Sequence, residues 1–457
     1  MDRSAQPLMA VPLAALAREL RSARLTSAEL TRAMRARAEA QAGEGARVFT
    51  RLYGDEAIAQ AVRLDALRAG GLELSPLMGL PVSVKDLFDV AGEATAAGSR
   101  VLARAAPATR DAAVVARVRR AGAVLMGRTN MTEFAFSGLG LNPHHGTPRN
   151  PHDRDAGRIP GGSSSGAAVS VTDGMSAAAI GTDTGGSVRI PAALCGLVGF
   201  KPTASRVTQD GTLPLAASLD SIGVIAPTVD CCARVDAVIA DVPALPSAWP
   251  AFRPPRLGIP DRYVLEGLDD TVAAAFTRAL RGLERAGATV VEIALPLDEI
   301  PAHTADGGIV AIEAYAWHEP LLRERESDYD PRVASRIMRG RGRLAVDYLR
   351  LLAWRLDWIA RMAATLAGVD ALVMPTVPVV APLIAPLAAS DDAYTRANLL
   401  LLRNPTVVNL LDGCAVSIPC HRGHELPTGL TIAGGHGHDA RILSIAHWAE
   451  EELARAD

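Results

Sequence analysis

The chain has 457 residues, almost half of them apolar and few aromatic, and its formal charge is −3. A surface so close to neutral is not built to coat phosphates, which argues against nucleic acid as a direct partner. The five cysteines (Cys195, Cys231, Cys232, Cys414 and Cys420) have neither the paired spacing of a zinc site nor the density of a disulfide scaffold, so a reducing, cytoplasmic setting is expected.

Residues 8–17 are apolar, but Asp2 cancels Arg3 and Pro12 interrupts the run. The pattern predicts a surface helix with Leu13, Leu16, Leu20 and Leu25 on one face rather than a signal peptide. Thr26-Ser27-Ala28-Glu29 is a capping box, and helical patterns follow to about residue 69. Residues 80–84 form a short apolar run ending at Lys85-Asp86, read as a buried strand with two polar side chains at its tip. A helix near 111–121, a strand near 123–127 and further alternation to about 199 predict an α/β layered fold.

From about residue 254 the chain is rich in Arg and Leu, with helical patterns at 269–286 and 330–367. Residues 371–390 carry no charge, yet Pro375, Pro378, Pro382 and Pro386 exclude a membrane-spanning helix. Strand-like runs at 371–374 and 414–419 are expected to close back into the central sheet. With no internal repeat and no flexible linker, the expectation is one domain over 1–457, with a helical peripheral layer at about 254–367.

Lysine is scarce: 45 arginines stand against two lysines, Lys85 and Lys201. A guanidinium is effectively never deprotonated, whereas a buried amine can lose its proton near neutral pH and act as a base. Lys85, at the tip of an apolar strand, is placed for that task, and an ion pair with Asp86 is the plainer alternative. Gly161-Gly162-Ser163-Ser164-Ser165-Gly166 and Gly181-Thr182-Asp183-Thr184-Gly185-Gly186-Ser187 are glycine turns that carry serines. Such turns can aim several N–H groups into one space and present a nucleophile. Neither contains a P-loop or a dinucleotide fingerprint.

Together these segments resemble the amidase signature family. LPVSVKD at 80–86 is similar to its lysine strand; residues 161–166, GTDTGGSVRIP at 181–191 and CGLVGFKPT at 195–203 are similar to its signature block. The 24 residues from Ser163 to Ser187 also fit, and weaker likeness runs from residue 25 to 430. The resemblance implies an α/β/α fold, a large mixed sheet covered by helices, with the core signature at about 75–230. It implies Ser187 as acylated nucleophile, Ser163 (after a cis peptide) as bridge, and Lys85 as base. The amides of Thr184, Gly185, Gly186 and Ser187 would form the oxyanion hole, Asp183 and Arg189 would support the loop, and Lys201 would be structural. Ser165 departs from the family's usual glycine.

The implied activity is hydrolysis of a small-molecule carboxamide, urea-like and acidic amides included, with no cofactor, metal or membrane; a homodimer is one arrangement open to such an enzyme. The alternative is the glutaminase A subunit of a tRNA-dependent amidotransferase. Against it, residues 396–409 lack the acid expected to hold a glutamine amino group, and EAYAWHEP at 313–320 departs from the pattern of that glutaminase. A non-catalytic binding protein is the third reading. His436, His438, His144 and His145 form no readable ligand set, and apolar surroundings disfavour Cys195 as a nucleophile. Asn130 and residues 134–140, Phe134, Ser137 and Gly138 among them, are candidates for the acyl-pocket wall, with packing equally consistent. Arg336 could hold a substrate carboxylate, although a solvated helix face explains it more simply.

Overall fold

A computed structural model of the chain describes residues 11–243 and 253–456; Asp2, Arg3 and residues 8–10 of the N-terminal apolar run lie outside the described residues. Eleven strands make one mixed sheet. In chain order they are β1 Phe49–Leu52, β2 Pro81–Lys85, β3 Val124–Thr129, β4 Ala178–Asp183, β5 Val198–Lys201 and β6 Ser221–Ala226. The remaining five are β7 Arg256–Pro260, β8 Thr289–Ile293, β9 Ala371–Pro375, β10 Cys414–Pro419 and β11 Gly429–Gly434. Across the sheet they run β1-β3-β2-β4-β6-β5-β10-β11-β9-β7-β8.

The central strands are short, buried and apolar on both faces, as expected of strands covered by helices on each side. In β4, Ala178 and Ile180 join one core while Ala179 joins another. In β6, Val224 and Ile225 divide in the same way, because successive side chains of a strand point to opposite faces. One face is covered by the helix Val229–Ala240, whose Cys232 and Val235 are fully buried. The other is covered by Ser165–Thr172, a helix of small residues buried throughout. Its small side chains allow close approach: a Cβ on Gly166 would lie 2.3 Å from the Val48 carbonyl.

The helix Leu13–Arg21 buries Leu13, Leu16 and Leu20 as its spacing predicts but ends before Leu25, which lies in the connecting bend. The next helix, Ser27–Ala38, carries the expected capping box. The region 254–367 differs from the expected helical layer because it also holds β7 and β8, which extend the sheet in parallel beyond β9. Both have five residues; Gly258 and Pro260 interrupt the first and the second is a half-exposed edge, so neither carries a clear strand period. The pattern at 330–367 is two helices, Pro331–Met338 and Ala345–Leu366, broken near Gly342, whose φ is +75°. The uncharged run at 371–390 ends in a short helix, Ile384–Ala389, rather than remaining extended. Among the described residues no helix is long and apolar enough to cross a membrane.

The topology places the chemistry. Strands β2 and β4 are parallel neighbours, so Lys85 and Asp183, at their C-terminal ends, emerge along one edge of the sheet.

Candidate active site

Lys85 is fully buried, and its Nζ lies 2.7 Å from Ser163 Oγ and 2.9 Å from Thr182 Oγ1. Its chain neighbour Asp86 does not pair with it. That carboxylate instead accepts from Arg128 Nε at 2.7 Å and from the Gly98 amide at 3.0 Å. Burial pushes the Lys85 amine down to about 7, against the opposing pull of the Asp220 and Asp183 carboxylates. An amine in this setting can be neutral near pH 7 and accept a proton.

Ser163 follows a cis Gly162–Ser163 peptide bond. Its neighbour Ser164 donates its backbone N–H to the Ser187 carbonyl at 3.3 Å, which joins the two serine turns. The side chain of Ser165, where the resemblance leads one to expect glycine, points to the Asn130 carbonyl. Local sequence cannot tell Ser163, Ser164 and Ser165 apart; the structure does, because Ser163 is the one that meets Lys85.

The turn carrying Ser187 is held by one carboxylate. Asp183 accepts from the amides of Gly186 at 2.9 Å and Val188 at 3.2 Å, and from Arg189 Nη2 and Nε at 2.8 and 3.0 Å. Asn409 donates to the same carboxylate at 2.9 Å and to the Asp183 carbonyl at 3.0 Å. Arg189 and Asp183 are both fully buried, and the guanidinium holds the carboxyl well below the usual carboxylate range against the cost of its burial. This is the loop-support pair expected from the sequence, with Asn409 added from 220 residues beyond Arg189 in the chain.

Ser187 opens onto a cavity of about 690 Å³, which Thr184 and Gly185 also border. Gly186 does not border it and its N–H is engaged by Asp183, so three of the four residues expected to supply oxyanion amides face the space. Thr184 donates its hydroxyl to Asp220, a carboxylate that also accepts from the amides of Leu215 and Ala216. Burial pushes Asp220 up to about 6. Lys201 is buried on the carbonyls of Pro202 and Gly413, at 2.9 and 2.6 Å, in agreement with a structural part.

The cavity is otherwise apolar, with Leu215, Leu219, Ile309 and Trp354 in its wall. Arg336, Arg339, Arg396 and Arg403 border it, and no Asp or Glu is among the described residues that do. Arg336 corrects the expectation of a solvated helix face. It is half-buried and its guanidinium lies 4.7 Å over the Phe136 ring. Its Nε has no hydrogen-bond partner among the described residues, and burial lowers the group to about 10.

The expected pocket-wall residues divide. Ser137 borders the cavity, with its hydroxyl on Asn398 at 2.9 Å. Asn130 does not: its amide donates to the Arg47 and Gly146 carbonyls, both at 2.8 Å. Phe134 faces away into a cluster with His318 and Tyr329, and Gly138 packs against Ile190 and Leu402. Ala135 and Phe136, inside the expected segment 134–140, line the cavity beside Ser137. The reason is a local reversal, since Phe134 and Ala135 have φ of 49° and 61°, which turns the side-chain order over. Of the histidines weighed as ligands, His144 bonds Glu133 and His436 bonds Asp412.

Thr182, Asp220 and Asn409 were not singled out by sequence reasoning, and Phe136 entered it only as part of the segment 134–140. Thr182 was within reach, because it precedes Asp183 in a strand beside the lysine strand. Asn409 carries no local signal.

Known proteins resemble the chain over most of its length. The amidase family model matches residues 29–443. The 2-amino-5-chloromuconic acid deaminase of Comamonas testosteroni is 38% identical, over 86% of each chain. The A-type subunit of a glutamyl-tRNA(Gln) amidotransferase from Koribacter versatilis is 33% identical over 91% of this chain and 93% of its own. The solved peptide amidase of Stenotrophomonas maltophilia superposes with a TM-score of 0.81 at 27% identity, over 97% of each chain.

Proposed function

The chain belongs to the amidase family and is a hydrolase of C–N amide bonds; from that premise we propose that it cleaves a carboxylate-bearing carboxamide through a Ser187 acyl-enzyme. The observation that carries the catalytic assignment is the 2.7 Å contact between Ser163 and a buried lysine that makes no ion pair among the described residues. Ser187 Oγ attacks the substrate carbonyl and gives its proton to Ser163, which passes its own to neutral Lys85. The amides of Thr184, Gly185 and Ser187 hold the tetrahedral oxyanion. The proton returns through Ser163 to the leaving nitrogen, ammonia or an amine departs, and water hydrolyses the acyl-enzyme to a carboxylate.

Substrate choice rests on the cavity. A largely apolar chamber bordered by four arginines and no described acid suits an anion with an apolar body. Arg336 is its anchor in this reading, because the buried Nε lacks a partner that a carboxylate would supply. The relative from Comamonas testosteroni is named for an acid substrate, which fits. The glutaminase reading is less favoured: residues 396–409 border the cavity with Arg396, Arg403, Thr406 and Asn409 but no acid to receive an amino group. Free cysteines at all five positions support a reducing compartment.

Self-association has a face away from the cavity. The helix Ala345–Leu366 turns Val346, Leu349, Ala353, Leu356 and Ala360 to solvent at alternating spacings of three and four, and Leu349 and Leu356 are 62% and 70% exposed. An antiparallel second copy would set Arg350 of one protomer beside Asp357 of the other, twice.

A fluorophosphonate is expected to label Ser187, and Lys85→Ala to abolish labelling; full labelling of that variant would remove the lysine from the base role. Because the base form is the neutral amine, kcat/KM should rise about tenfold per pH unit below about 7 and level off above it. A rate that is flat from pH 5 to 8 contradicts this. Arg336→Met should lower kcat/KM for a carboxylate-bearing amide by about 10- to 100-fold, the worth of a charge-assisted bond, and alter the neutral isostere far less. Sedimentation should find a dimer that Leu349→Glu with Leu356→Glu converts to monomer; persistence of the dimer would reject that face.

A further inference from the structure

The two walls that frame the anion end of the cavity come from segments about 200 residues apart, and one buried carboxylate joins them. Glu133 is wholly inaccessible to solvent. Its Oε1 accepts from Ser99 Oγ and is bonded to His144 Nε2, each at 2.7 Å, while its Oε2 accepts from the backbone N–H of Asp330 at 2.7 Å. Asp330 in turn caps the helix Pro331–Met338 by accepting from the Arg332 amide at 2.9 Å. Arg336 lies on that helix.

The next residue repeats the grip. The Phe134 ring centroid is 5.3 Å from that of Tyr329 and 4.4 Å from that of His318, and His318 Nδ1 is 2.9 Å from the Tyr329 hydroxyl. The pair Glu133-Phe134 therefore clasps the pair Tyr329-Asp330, once by hydrogen bond and once by ring packing. At this clasp two successive residues, 134 and 135, are left-handed, and they deliver Phe136 beneath the Arg336 guanidinium. Left-handed non-glycine residues cost free energy and persist where the surroundings over-determine them. Glu133, with three partners on three separate segments, supplies that determination.

We propose that Glu133 is a positioning residue for substrate selection: by tying the Arg336 helix to the Phe136 turn it sets where the guanidinium stands relative to Ser187, and so decides the preference for carboxylate-bearing amides. This inference rests on the reading of Arg336 as the carboxylate anchor. A buried carboxylate is suited to the task because it only accepts, and the three groups that meet it can all donate. Glutamine at this position keeps the shape but removes the charge. With its Oε1 on the Asp330 N–H, its NH2 must donate to Ser99 Oγ and His144 Nε2, so the charge-assisted bonds become weaker neutral ones; in the opposite orientation the Asp330 tie is lost.

The test compares selectivity in Glu133→Gln, Arg336→Met and the double variant. The probes are succinamate, glutaramate and adipamate, each paired with the amide in which an isopropyl group replaces the carboxylate. The ratio of kcat/KM for the best carboxylate amide to that of its isopropyl partner is the readout. Glu133→Gln should lower the ratio at least tenfold, through KM more than kcat, and should lower it no further when Arg336 is already Met. A merely structural loss would depress both substrates and leave the ratio in place, which would overturn the proposal. So would an additive fall in the double variant. If Arg336→Met itself leaves the ratio unchanged, the anchor reading fails first, and a ratio that drops in Arg336→Met but not in Glu133→Gln rejects Glu133 alone. Should Glu133→Gln not fold, His144→Asn loosens one tie on the same carboxylate; it should lower the ratio in the same direction, and an unchanged ratio there overturns the proposal.

Discussion

Everything at this site depends on the cost of burying a charged amine without a counter-ion. Lys85 stands at the end of a strand with no solvent-accessible residue, and the groups within hydrogen-bond reach of Nζ are two hydroxyls. An ammonium there would lose its hydration and gain no contacting carboxylate, and that penalty lowers the group to about 7, where it can give up its proton. The sheet enforces this arrangement. Parallel pairing of β2 with β3 on one side and β4 on the other closes the flanks of the lysine strand, and Asp86, the nearest carboxylate in sequence, is occupied by Arg128.

Where charge is useful the fold does the opposite. Asp183 is as deeply buried as Lys85, yet it is matched by the Arg189 guanidinium, Asn409 and three amides. A buried ion pair adds little net stability over an apolar equivalent, and its better-attested contribution is to fix one geometry. Here the geometry fixed is that of the turn carrying Ser187. Asp220 is the intermediate case: bonded to Thr184 and to two amides but to no cation, it is raised to about 6. Its charge pulls the lysine upward while burial pulls it down, so the two groups titrate within the same range and the pH response belongs to both.

The segments proposed to carry the chemistry were legible in the sequence because the patterns that mark them are local, although which of the three serines at 163–165 meets the lysine was not. A lone lysine at the end of an apolar run and two glycine turns that carry serines are short-range patterns, and each lies where a strand meets a loop. What could not be read came from distance or from reversal. Asn409 reaches Asp183 across the whole second half of the chain, and Glu133 reaches Asp330 across nearly as much. Within the segment 134–140 expected at the pocket wall, Ala135, Phe136 and Ser137 border the cavity while Phe134 turns away, because two left-handed residues invert the side-chain order at 134–135 and no propensity of Phe or Ala announces that. Asn130 is drawn off separately by the Arg47 and Gly146 carbonyls. Strands β7 and β8 escaped for a related reason: five residues interrupted by glycine and proline, or half-exposed, show no period to detect, and only pairing with β9 and with each other makes them strands.

That distribution also separates reaction from selection. The groups proposed to move protons sit on a central strand and on two turns beside it, where displacement of any one would disturb the sheet. The groups proposed to choose the substrate sit on helices and turns outside the sheet: Arg336 on a helix of eight residues, Phe136 on a strained turn, Trp354 and Arg403 on two longer helices. Among the described residues, Arg336 and Phe136 lie on elements whose hydrogen bonds do not reach the Ser187 turn, whereas the helix of Arg403 also carries Asn409, which holds Asp183. An amide hydrolase built this way can change substrate through the first two while its catalytic apparatus stays still. The same freedom is a liability, since a guanidinium on a short helix selects for a carboxylate only if the helix is held to the body. A buried acceptor that binds the helix cap on one side and the cavity turn on the other meets that requirement directly, and it does so without placing a second negative charge against the substrate.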